Sequence, residues 1–114
     1  MTTPRIFELR TYHSAPGRLE ALSSRFRDDT MGLFARHQIT VEGFWSAPTD
    51  GDPSTGSLVY VCSYSSRDAA SAAWKAFTED PEWAKVRAQS EVDGPLADKV
   101  ESLYMAPTDY SPMR

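Results

Sequence analysis

The 114-residue sequence predicts an α+β fold: a four-stranded antiparallel sheet in the ferredoxin-like split βαβ order, with its helices on one face. Three observations lead there. Four stretches read as strands, they interleave with helical stretches in the order β-α-β-β-α-(α)-β, and the first three strands carry bulky apolar side chains on both faces. A sheet solvated on one side shows apolar and polar residues in alternation, so strands of this kind expect cover above and below. Helices supply one cover. For a small domain, a second copy of the same sheet is the economical way to supply the other.

Ile6 to Tyr12 is the first strand, aromatic and branched in composition and followed by the Pro16-Gly17 breaker. Alternation places Ile6, Glu8, Arg10 and Tyr12 on one face and Phe7, Leu9 and Thr11 on the other. A helix follows from Gly17 to about His37, because Leu19, Leu22, Phe26, Thr30, Leu33 and His37 fall on one stripe. Gly32 costs that helix roughly 1 kcal/mol against alanine, and a kink or early end is expected near Asp28-Asp29. Ile39 to Ser46 reads as the second strand, with Ile39, Val41, Gly43 and Trp45 opposite Thr40, Glu42 and Phe44. Ala47 to Ser57, with two prolines and two glycines, reads as a surface loop or hairpin connection. Leu58 to Tyr64 is the most apolar strand, with Tyr60, Cys62 and Tyr64 on one side.

Ser65, with Asp68 three residues on, signals a helix start of capping-box type. Ala70, Ala73, Trp74 and Phe77 then recur at helical spacing. Asp80-Pro81 marks a second start, with the carboxylate as N-cap and proline at the first helical position, and this helix is expected to reach about Val92. Val100 to Met105 is the last strand. Ala106 to Arg114, broken by Pro107 and Pro112, is an irregular tail expected to lie against a partner subunit.

Composition narrows the function. The chain reads as a single domain, residues 1–114, with 40% hydrophobic residues. A net charge of −4 offers no basic field for nucleic acid or anionic lipid, and no window approaches the roughly 20 apolar residues of a membrane span. The lone Cys62 excludes an intramolecular disulfide and suits a reducing, cytoplasmic setting as a buried structural thiol. His13 and His37 stand far apart without metal-ligand spacing, so no metal site is expected. No nucleophile-elbow, phosphate-loop or dinucleotide motif occurs.

Phe7-Glu8-Leu9-Arg10-Thr11-Tyr12 with Pro16-Gly17, Gly43-Phe44-Trp45, Tyr64-x-Ser66-x-Asp68-Ala69, Asp80-Pro81-Glu82-Trp83 and Glu101-Ser102-x-x-x-x-Pro107 with Tyr110-Ser111-Pro112 together resemble the NIPSNAP family. The resemblance implies a dimeric α+β barrel, in which two sheets close a barrel and each protomer has a cavity between sheet and helices. It also implies a range of chemistry: cofactor-free monooxygenation, isomerisation, cyclisation and haem degradation. It lends no residue-by-residue mechanism. Position 60, where many members resemble histidine, is tyrosine here, which weakens a haem-handling reading.

The ligand-binding candidates are Arg10, Tyr12, Trp45, Tyr60, Tyr64 and Trp74, with no catalytic residue assigned. Arg10 and Tyr60 supply the polar groups of a pocket between sheet and helices, and Trp45, Tyr64 and Trp74 its walls. Tyr60 sits mid-strand, where a phenol needs a partner or a ligand. Two arrangements stay open: Arg10 and Tyr60 face one side, or Arg10 stays with Glu8 in the dimer barrel as an ion pair. His13 reads as an exposed turn residue and His37 as a helix-end residue that caps or packs. Two functions fit: a cofactor-independent enzyme on a hydrophobic or aromatic carbonyl compound, with Tyr and Arg groups stabilising an enolate-like anion, or a non-catalytic ligand-binding or protein-interaction homodimer.

Overall fold

The four strands are β1 (Ile6–Ser14), β2 (Thr40–Thr49), β3 (Asp52–Tyr64) and β4 (Ala97–Met105), all antiparallel in the order β2-β3-β1-β4. This is the ferredoxin-like arrangement the sequence predicts. The structure, a computed structural model, describes residues 4–114, so the start of the expected 1–114 domain lies outside the described residues. Four helices pack on one face: α1 (Leu19–Arg25), α2 (Met31–Arg36), α3 (Arg67–Thr78) and α4 (Pro81–Ser90).

A π-helical turn, Phe26–Thr30, joins α1 to α2 at the place where the sequence predicts a kink. Widening by one residue keeps Phe26, Thr30, Leu33 and Phe34 all buried, although Asp28-Asp29 interrupts the stripe. The helix starts follow capping chemistry with one shift. Ser66, not Ser65, caps α3, its Oγ accepting from the Ala69 N–H at 3.0 Å. Asp80 caps α4 as expected, with Oδ1 accepting from the Glu82 N–H at 2.9 Å and Pro81 opening the helix.

The region read as a loop or hairpin, residues 47–57, is a hairpin: β2 and β3 run to Thr49 and from Asp52, around Asp50-Gly51. Pro48 is tolerated because β2 is an edge strand, and Pro53 because β1 pairs with β3 only as far as Ser57, which leaves a two-stranded ribbon projecting beyond the sheet. Register between β2 and β3 shifts between Val41 and Gly43, where Glu42 is the extra residue. Beyond that bulge Phe44 opposes Tyr60 on the helix side, while Trp45 opposes Val59 on the helix-free side.

The core lies between helices and sheet. Leu22, Phe26, Phe34, Leu58, Tyr60, Cys62, Ala70 and Phe77 are buried there, each large apolar side chain contributing about 1.5–3 kcal/mol. The helix-free face carries an apolar row as well. Leu9 stands between Val61 and Leu103 in register, and Leu103 and Trp45 are each 57% exposed. Phe7 is deeply covered on this face, because the tail folds back beside it with Pro107 and Met113, and the Arg5 Nε donates to the Arg114 oxygen. The tail thus packs on its own sheet. The whole is a slab 19 Å in its shortest extent, with a radius of gyration of 15.0 Å against about 13 Å for a compact chain of this length.

Candidate functional site

Pairing of β1 with both β3 and β4 gathers the site. Glu8 lies between Cys62 and Tyr104, Arg10 between Tyr60 and Ser102, and Tyr12 between Leu58 and Val100. All belong to the face that the helices cover, which settles the open question of parity. The Arg10 Nε donates to the Tyr60 hydroxyl at 2.9 Å, Nη1 to Glu8 Oε2 at 2.9 Å, and Nη2 to the Tyr12 hydroxyl at 3.2 Å. The first arrangement is the one found: Arg10 meets Tyr60, and its ion pair with Glu8 forms on the same helix side rather than in the dimer barrel, because alternation along β1 keeps Glu8 and Arg10 on the face that Tyr60 shares. Trp74, carried in by α3, lies under the guanidinium at 4.1 Å from its ring centre.

Glu8 is 1% exposed and takes four donors. Its Oε1 accepts from the Tyr64 hydroxyl at 2.6 Å and from Trp74 Nε1 at 2.8 Å, and its Oε2 accepts from Arg10 and from the Ser102 hydroxyl. Burial alone would push this carboxyl up, but the Ser102 and Tyr64 hydroxyls and the Arg10 guanidinium together hold it below the usual carboxylate range. Glu8 is thus an ionised, saturated acceptor and a poor base. Burial pushes both phenols up, with the neighbouring Tyr12 adding to the rise at Tyr60 and the Glu8 hydrogen bond adding to it at Tyr64. They stay protonated as donors. Burial opposes the charge of Arg10, yet the Tyr60 and Tyr12 hydroxyls and Glu8 keep it firmly cationic. What this set can do is hold negative charge on an oxygen, not remove a proton from carbon.

Of the six candidates, Arg10, Tyr12, Tyr60, Tyr64 and Trp74 form this cluster and Trp45 does not. Trp45 stands on the opposite face, its indole folded over Gly43 so closely that a Cβ there would collide with the ring. Alternation without the bulge also put Phe44 on the wrong side. It stacks on Tyr60 with ring centres 4.6 Å apart, and Phe26 meets Tyr12 edge-on at 5.1 Å. Phe26 and Phe44 wall a concavity of about 350 Å³, lined also by Met31, Leu58, Trp45, Ser23, Arg27 and Ser46, and Tyr12 and Tyr60 lie behind these two rings without reaching it. A wider groove of about 680 Å³ reaches Tyr64 from the other end of the sheet. Ser102 stood in the sequence only as part of the Glu101-Ser102 motif and not as a site candidate; its register opposite Arg10 brings it to Glu8.

The histidines serve structure. His13 is a strand residue rather than a turn residue, its Nε2 2.6 Å from Glu101 across β4. His37 ends α2 and meets Asp80 Oδ2 at 2.6 Å, in keeping with a helix-end role. Cys62 is fully buried and burial pushes its thiol up to about 12, as suits a structural cysteine. Among the described residues no cluster of three metal-ligating side chains occurs, and no helix is long and apolar enough to cross a membrane.

Comparison with known proteins places this geometry. The profile of the NIPSNAP family matches residues 7–112. A NIPSNAP family protein from Agrobacterium tumefaciens superposes with a TM-score of 0.80 at 21% identity, covering 100% of this chain and 97% of that one. A NIPSNAP domain protein from Burkholderia xenovorans gives 0.77 at 20% identity over 94% and 98%. A monooxygenase of Streptomyces coelicolor in complex with nanaomycin D gives 0.60 at 14% identity over 95% and 91%, so it shares the dimeric α+β barrel fold. No curated protein matches the chain.

Proposed function

We propose, from the premise that the chain belongs to the NIPSNAP family, that it is a homodimeric protein that binds a hydrophobic or aromatic small molecule. On this reading it works without a cofactor on a carbonyl compound, by monooxygenation, isomerisation or cyclisation. One observation carries the reading: Arg10 and Tyr60, both proton donors, sit hydrogen-bonded one ring behind an aromatic concavity. A carbonyl oxygen that accepts from them would gain most as it becomes an enolate or phenolate, since donors fixed in a dry site favour the charged state. The likeness in fold to the Streptomyces monooxygenase supports an aromatic ligand class.

A non-catalytic ligand-binding or interaction dimer is the competing reading, favoured by the way the polar groups satisfy one another. The two part on one experiment. Tyr60→Phe and Arg10→Ala are measured separately for unfolding, for binding across a panel of aromatic carbonyl compounds, and for oxygen uptake or product formation. Weaker binding together with lost turnover supports the enzyme; lost stability with unchanged binding assigns both residues to structure.

The dimer has its own support. The accessible surface is 7028 Å², against about 6,200 Å² for a monomer of this mass, and the excess is of the order that one partner loses in a standard interface. The uncovered apolar row through Leu9, Val61 and Leu103 is where a second sheet would dock. Leu103→Lys tests it, because an exposed strand residue tolerates the charge in an isolated protomer. Sedimentation is expected to give twice the chain mass for the parent and a monomer for the variant; a parent that stays monomeric at micromolar concentration refutes the barrel. The protein is further read as a single cytoplasmic domain that does not bind nucleic acid.

A further inference from the structure

A second concavity lies away from the aromatic one. It is an open groove of about 680 Å³ at the end of the sheet where β2 begins and β3 ends, floored by α3. Four alanines of that helix, Ala69, Ala72, Ala73 and Ala76, line it. A helix face without long side chains lets a ligand approach the backbone cylinder closely. Around this floor stand Arg5, Arg36 and His37, with the hydroxyls of Thr40, Ser63 and Ser65.

The charge distribution is one-sided. Among the described residues no carboxylate lines the groove, although the chain as a whole carries a formal net charge of −4. The two acids that hold the cations contact them without lining the groove. Asp80, 9% exposed and fixed as the cap of α4, takes Arg36 Nη1 at 3.1 Å and His37 Nε2 at 2.6 Å. Glu42 takes Arg5 Nη1 and the Ser63 hydroxyl. Each guanidinium is thereby positioned while retaining further N–H donors, since a guanidinium has five. Hydroxyl donors beside fixed guanidiniums over a small-residue floor are what recognition of a multivalent oxyanion requires. The volume falls within the range of small-molecule sites.

We propose that this groove is a second binding site, separate from the Arg10 cluster, for a small molecule bearing phosphate or several carboxylates, with Arg36 and Arg5 as its charge anchors. Tyr64 connects the two sites, because its ring lines the groove and its hydroxyl donates to Glu8. A ligand bound here would rest against the back of the network that holds Arg10.

The test titrates the full-length protein with pyrophosphate and with citrate, followed calorimetrically at low salt and again at physiological ionic strength. Saturable binding is expected for at least one of them, persisting at the higher salt. Two variants locate it. Ala72→Glu puts a carboxylate into the groove from an exposed helix position, so folding is retained, and Arg36→Gln removes an anchor. Each is expected to weaken binding roughly tenfold or more. Lys85→Gln, which changes the net charge by the same amount as Arg36→Gln from an exposed position of α4 outside the groove, serves as control. Absence of saturable binding by the parent overturns the proposal, as does unchanged affinity in Ala72→Glu or an equal loss in Lys85→Gln. If Arg36→Gln proves unfolded, Ala72→Glu alone decides.

Discussion

Glu8→Gln is expected to be among the most damaging single-atom changes available in this chain. The carboxylate is 1% exposed, its Arg10 partner has a side chain 16% exposed, and two carboxylate oxygens share four donors. Glutamine keeps one acceptor oxygen and turns an NH2 toward two groups that also donate. Two hydrogen bonds to a charged acceptor are lost, at about 1.5–3 kcal/mol each, and Arg10 is left without its counter-charge, which by itself costs about 3–5 kcal/mol. These overlap, so about 3–5 kcal/mol is the expected total, a fall of roughly 12–20 °C in Tm for a domain of this length. Thermal and denaturant unfolding at fixed protein concentration measure it, so that the association proposed above does not enter the comparison. The pH dependence adds a sign. A carboxyl held low in the folded state contributes stability that is full above its unfolded value, near 4.3, and is lost as pH falls through the folded value. The gap between parent and variant should therefore close on acidification below about pH 4. A variant within about 1 kcal/mol of the parent at neutral pH, or a gap that ignores acid, refutes the reasoning.

Two further changes probe the frame. Gly56→Ala should loosen the projecting hairpin by about 1–3 kcal/mol, because the new Cβ runs into the Ala47 carbonyl and the Pro48 backbone; an unchanged unfolding midpoint would mean the ribbon shifts freely. Deleting residues 107–114 should lower stability by roughly 1–2 kcal/mol, since Phe7, now 4% exposed, loses its cover; identical melting would mean the tail only rests there.

The architecture was legible because each signal was local. Period-2 strands, the Asp80-Pro81 start and the apolar run into Tyr64 needed no partner to be read. Most departures came from non-local causes. The bulge at Glu42 exchanged the faces of Phe44 and Trp45, so an aromatic wall was assigned to the wrong ring. Strand extension through residues 47–57 depends on β1 ending opposite Ser57, where an otherwise unfavourable proline meets no neighbour. The site divides in the same way. Glu8, Arg10 and Tyr12 share a face by alternation alone, whereas Ser102 joins them only through the pairing of β4. Arg36 and His37 became groove residues only once Asp80, far along the chain, fixed them from behind.

The polarity of the two sheet faces carries one more consequence. In this protomer the covered face holds an ion pair and four tyrosines, Tyr12, Tyr60, Tyr64 and Tyr104, while the outer face carries the apolar row through Leu9, Val61 and Leu103. Stability alone does not require that arrangement, because replacing a buried ion pair by apolar groups of similar size is often neutral or favourable. The double variant Glu8→Leu with Arg10→Met separates the two roles. It leaves neither charge unpaired, so it should recover the counter-charge part of what Glu8→Gln loses, while the Tyr64, Trp74 and Ser102 donors lose their acceptor. If the cluster exists to hold negative charge on a ligand oxygen, the double variant should stay folded yet bind aromatic carbonyl compounds more weakly, by roughly tenfold or more for the loss of a charged donor. If it retains binding unchanged, the ion pair serves only to fix strand register, and the oxyanion role assigned to Arg10 fails.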